Sequence, residues 1–123
     1  MTALSESERP DAGGPLVRLH SFMVPVRMQG EFLAEFDALL TSMRGARGFL
    51  GEETFLGGRN PRHVMLLSAW ASKRACEAFF EAAAAPALRR RVLFKYLEGA
   101  EFFRTREPAA LLALTAARRA RAL

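Results

Sequence analysis

The chain has a single cysteine, Cys76, in 123 residues, so no internal disulfide is possible and an apolar core must hold the fold. Histidine is nearly as scarce. His20 and His63 lie more than forty residues apart, with no His-x-x-x-His or Cys-x-x-Cys spacing, so no metal motif is legible. Gly57-Gly58 is a hairpin turn rather than a phosphate-cradling loop between strand and helix, and no local Ser-His-Asp motif is present. No apolar run approaches the roughly 20 residues that a bilayer demands, which speaks against a membrane protein. Residues 1–15 are polar and turn-rich, without the basic start or apolar centre of a secretory signal. They are expected to form a disordered extension on a cytoplasmic protein.

What is abundant is apolar surface. Half of the residues are hydrophobic and ten are phenylalanine, which fits one packed domain for which a partner subunit would be an advantage. The net charge of +5 is unevenly spread. The first 61 residues carry six arginines and eight acids, the remainder twelve basic residues and five acids. Yet the excess sits in Arg89-Arg90-Arg91 and in Arg118, Arg119 and Arg121, without the interleaved aromatics of a single-strand binder. The runs read as solvated helix faces, and nucleic acid is not the expected partner.

Hydrophobic spacing orders the elements. Leu16 to Val26 alternates as a strand, with Val17, Leu19, Ser21 and Met23 on one face and Arg18, His20, Phe22 and Val24 on the other, until Pro25 ends or bends it. Phe32, Phe36, Leu39, Leu40 and Met43 then form a helical stripe from Gln29 to Met43, with Glu31, Glu35, Asp37 and Ser42 turned to water. Gly45 and Gly48 are expected to stop that helix in left-handed conformations. Phe49 to Leu56 and His63 to Trp70 read as a hairpin, with Phe49, Gly51, Glu53 and Phe55 sharing a face. The second of these strands is apolar on both faces and so central and doubly covered.

Ser72 is a plausible N-cap for a helix carrying Ala75, Cys76, Phe79 and Phe80. Pro86 predicts a break before a second piece from Ala87 to about Tyr96, which Gly99 ends. A last strand from Ala100 to Arg106 and a helical tail over residues 107–123 complete the chain. The order is α+β, a ferredoxin-like β-α-β-β-α-β domain over residues 16–106 with an antiparallel four-stranded sheet.

This order, together with Gly48-Phe49-Leu50-Gly51 and Trp70-Ala71-Ser72, resembles the antibiotic biosynthesis monooxygenase family of dimeric α+β barrels over roughly Leu16 to Arg106. The resemblance implies a homodimer whose paired sheets make a barrel, with a ligand cavity between each sheet and its helices. It also implies chemistry in which small aromatic metabolites are oxidised without a cofactor. The haem-degrading branch resembles this chain in the strand tryptophan, but its second tryptophan and its histidine fall at Phe79 and Arg89 here, which speaks against haem degradation. The quinone-forming members pair the tryptophan with an asparagine four residues before it and an arginine about twenty after it. Trp70 and Arg90 match, whereas the asparagine position is Leu66.

Oxidation by dioxygen without a cofactor requires deprotonating the substrate to an electron-rich anion. The protein must supply a base, a group that stabilises the anion, and a dry aromatic pocket. His20 and His63 are the candidate bases and Arg90 the candidate oxyanion partner. Trp70, Phe22, Phe79 and Phe80 are the candidate stacking surfaces. Each has a plainer reading: a hydrogen-bonded strand histidine, a solvated arginine, a core aromatic. Cys76, on an apolar stripe and without a resolving partner, reads as packing. A small apolar or aromatic metabolite is the expected ligand. The same pocket also suits a cyclase or isomerase, and a non-catalytic ligand-carrying dimer is a third reading.

Overall fold

The structure, a computed structural model, describes residues 14–83, 92–107, 109–111 and 113. Most of the expected N-terminal extension, the break at Pro86, Arg89 to Arg91 and most of the C-terminal tail lie outside the described residues.

Strand β1, Leu16–Met23, gives way at Pro25 to a 3-10 turn, Val26–Met28, which leads into helix α1, Gln29–Arg44. Strands β2, Phe49–Leu56, and β3, His63–Trp70, form the hairpin, followed by α2, Lys73–Ala83, the single turn α3, Val92–Lys95, and β4, Leu97–Arg104. All pairings are antiparallel and the sheet order is β2-β3-β1-β4, so β1 and β3 are central. This is the expected ferredoxin-like α+β arrangement. No described helix is long and apolar enough to cross a membrane.

Alternation along β1 and β3 decides where the core sits. Leu16, Phe22, Val24, Val64, Leu66 and Trp70 are buried on the side that meets the helices. There Phe22 packs on Phe32 and Phe36 of α1, with ring centroids 5.2 and 6.2 Å away, and Trp70 packs on Phe79 of α2 at 5.5 Å. The apolar stripe of α1 is buried as its spacing predicts. The other face carries Val17, Leu19, Met23, Met65 and Leu67, all half-buried, and the more exposed Phe55 and Phe103. In one copy of the chain, β3 is therefore central but fully covered only on its helix side.

Several local expectations are corrected. A bulge between Phe49 and Gly51 turns Phe49 toward Trp70, 5.4 Å away, and off the face shared by Gly51, Glu53 and Phe55. Of the two glycines after α1, Gly48 is left-handed, with φ +82°, whereas Gly45 is right-handed at φ −90°. Glu35 does not face water: its Oε2 accepts the Val92 N–H at 3.0 Å. β4 begins at Leu97 rather than Ala100, because the Met23 N–H donates to the Tyr96 carbonyl at 2.9 Å and pairing with β1 starts there. Gly99 thus lies within a strand, opposite Ser21. The cap at Ser72 forms, its Oγ accepting the Ala75 N–H at 3.1 Å.

Candidate functional site

Placing Arg18 and His20 two residues apart on β1 points both toward the helices, because the strand alternates. His20 is 4% exposed and lies 4.7 Å from the Phe80 ring of α2, with Phe22 stacked 6.3 Å away. Burial, reinforced by the positive charge of Arg18, pushes its pKa down to about 4, so the imidazole is neutral at pH 7. Its Nδ1 is buried and has no hydrogen-bond partner among the described residues. Such an atom costs free energy unless a ligand or water meets it.

His20 opens onto a cavity of about 420 Å³. Phe80, Phe94 and Leu97 supply its apolar wall, and Arg18, Glu77 and Glu81 its charged groups. The Arg18 guanidinium sits 4.1 Å from the Phe102 ring centroid, on the strand neighbour it pairs with in register. Arg18 is the site residue that sequence reasoning did not select. The signal was present, since it shares the strand face of His20.

The structure separates the remaining candidates. His63 lies on the opposite face of the sheet, its Nε2 2.8 Å from Ser21 Oγ, so the two histidines do not converge. Trp70 is 0% exposed, its Nε1–H donating to Ser68 Oγ at 2.9 Å and its ring covered by Phe49, Phe79 and Phe80. Phe22 is 1% exposed within the α1 contact. Neither ring offers an open face, because the core claims both; they hold the cavity wall from behind. Phe79 and Phe80 diverge. Phe80 lines the His20 cavity, whereas Phe79 lines a second groove of about 680 Å³ on the other side of α2. Arg90 lies outside the described residues. Cys76 is buried, and burial, the largest influence, raises its pKa to about 12, which leaves an unreactive thiol. Among the described residues no three His, Cys, Asp or Glu side chains cluster as a metal site.

The aromatic cavity that holds neutral His20 thus lies between the sheet and the helices of a ferredoxin-like fold. The sequence pattern of the antibiotic biosynthesis monooxygenase family matches residues 15–91, and the chain belongs to that family. SnoaB from Streptomyces nogalater, a cofactor-independent oxygenase, has a similar structure: TM-score 0.63 at 14% identity, covering 76% of this chain and 95% of that one. A conserved protein from Methanosarcina mazei Go1 is similar with TM-score 0.67 at 12% identity, covering 76% of this chain and 94% of its own. Rv0793 from Mycobacterium tuberculosis is similar with TM-score 0.64 at 14% identity, covering 76% and 96%. At these identities the likeness concerns the fold. No curated protein is significantly similar in sequence.

Proposed function

We propose that the protein is a cofactor-independent oxygenase of secondary metabolism that oxidises a flat, hydroxylated aromatic substrate of polyketide type beside His20. The observation that carries this reading is the buried Nδ1 of His20. His20 itself lines the aromatic cavity, and no described protein group engages that nitrogen, so the ring is free to turn a nitrogen to a ligand hydroxyl.

His20, neutral at pH 7, accepts the proton of a phenolic or enolic hydroxyl. Burial first, and the charge of Arg18 second, oppose a positive charge on the ring. A substrate anion formed between His20 and Arg18 offsets that opposition, because it attracts imidazolium and guanidinium together. The anion then passes an electron to dioxygen, the two radicals combine into a C–O bond, and O–O cleavage leaves a carbonyl. For a ring methylene the four electrons removed equal the four that reduce one O2. One oxygen atom stays in the product, the other leaves as water, and no external reductant is consumed. Phe80 and Phe94 hold the ring plane. Arg90, at the family's arginine spacing, is a second candidate for the oxyanion, while His63 on the far face of the sheet takes no part in this step.

A second copy of the chain, as the family's pairing implies, is proposed to cover the open sheet face in a cytoplasmic homodimer. One observation favours a second reading: Leu66, 0% exposed, brings no polar group to the position where quinone-forming relatives have asparagine. The same base would then serve a cyclase or isomerase. Incubating metal-free protein with an anthrone in an oxygen electrode distinguishes the two. The oxygenase consumes one O2 per substrate and stops under strict anaerobiosis. Product formed without oxygen makes the isomerase reading correct, and no turnover above buffer contradicts both.

A further inference from the structure

The groove on the other side of α2 has chemistry of its own. It is bounded by Gly48 and Ala71, which the Ala71 N–H to Gly48 carbonyl bond ties together at 2.8 Å, and its apolar floor is Ala75, Ala78 and Phe79. Among the described residues its charged lining residues are Arg47 and Arg74, and none of them is an acid. The neighbouring cations are engaged: Arg44 pairs with Glu52 at 3.0 Å, Lys73 with Glu77 at 3.6 Å, and Arg18 lies over Phe102. Arg47 and Arg74 have no carboxylate or ring partner among the described residues. Ser72, 4% exposed, lines the same groove. Its Oγ accepts the Ala75 N–H, so its hydroxyl proton is a further donor.

We infer that this groove, about 680 Å³, is a second ligand site that takes a small organic anion, its apolar body on the alanine and phenylalanine floor and its oxyanion between Arg47 and Arg74. Two guanidiniums without a carboxylate partner among the described residues favour a carboxylate or phosphate, and a floor of alanines beside Phe79 leaves room for a flat ring. The site is distinct from the His20 cavity, whose exposed side carries Glu77 and Glu81 and whose neutral imidazole suits a neutral hydroxyl. It does not depend on which reaction that cavity performs.

The test uses the full chain with ¹³C-labelled alanine methyls, titrated with 2-naphthoate, 2-naphthol and inorganic phosphate. The expected result is a saturable shift of the Ala71, Ala75 and Ala78 methyls by 2-naphthoate alone. Arg47→Gln and Arg74→Gln, both at exposed positions, each weaken binding about tenfold, as the loss of a charge-assisted hydrogen bond predicts. Ala78→Leu fills the floor and abolishes the shift while Arg47 and Arg74 remain. Shifts from phosphate equal to those from 2-naphthoate would overturn the need for an apolar body. Shifts from 2-naphthol equal to those from 2-naphthoate, shifts indifferent to both arginine substitutions, or shifts confined to Ala100 in the His20 cavity would overturn the site.

Discussion

Burial keeps the His20 imidazole neutral down to about pH 4, well below its ordinary 6.5, and this ties stability to pH in a defined sense. Between those values the unfolded chain takes up a proton that the folded chain refuses. The stabilisation is thus complete above pH 6.5 and is lost as pH falls toward 4, amounting to about 3 kcal/mol. Urea unfolding of His20→Leu should lack this slope between pH 5 and 6.5, whereas the wild type shows it. Gly48 is a second residue-scale test. A Cβ there would lie 2.6 Å from Ala75 Cβ on a backbone at φ +82°, so Gly48→Ala is expected to cost about 1–3 kcal/mol in the same measurement. Ser68 is a third: both it and Trp70 are 0% exposed, and Ser68→Ala strands the indole N–H, costing about 1–3 kcal/mol.

At the scale of elements, local chemistry decides where helices and strands begin only when no distant partner competes. The Ser72 cap was legible because it acts within one turn, and Ser72→Ala should lower stability by about 1 kcal/mol in thermal or urea unfolding. The limits of β2 and β3 were equally legible, because alternation and a Gly-Gly turn agree. The start of β4 was not. Gly99 reads locally as a helix stop, but the register of β1 draws Leu97 and the residues after it into the sheet. The bulge that turns Phe49 inward leaves no periodic trace in an eight-residue strand. Glu35 differs for the opposite reason: it lies on the polar stripe of its helix, but the N–H of Val92 that it accepts lies in another element. The candidate site divides along the same line. His20 and Phe80 meet across β1 and α2 as their types suggested, while His63 was separated from them by strand parity, which the sequence carries but a list of reactive residues ignores.

For the whole molecule, the sheet has two faces with different duties. The helix side holds the core and the His20 cavity. The other side leaves Phe55 at 48% and Phe103 at 47% exposure beside half-buried Val17, Leu19, Met65 and Leu67, an apolar surface suited to the proposed second copy. Leu67→Glu, at the centre of that face, should convert a dimer to a monomer in light scattering. A wild-type chain that is monomeric at micromolar concentration would contradict the proposed pairing. The central claim is that the substrate hydroxyl meets His20 and not His63, on opposite sides of one sheet. The most direct measurement is the ¹⁵N spectrum of histidine-labelled protein titrated with 2-naphthol, a hydroxyarene without an oxidisable ring methylene. The account predicts that the ring nitrogen resonances of His20 move to saturation while both nitrogens of His63 stay in place. A bound ligand that leaves His20 unmoved, or that shifts His63 instead, would contradict it.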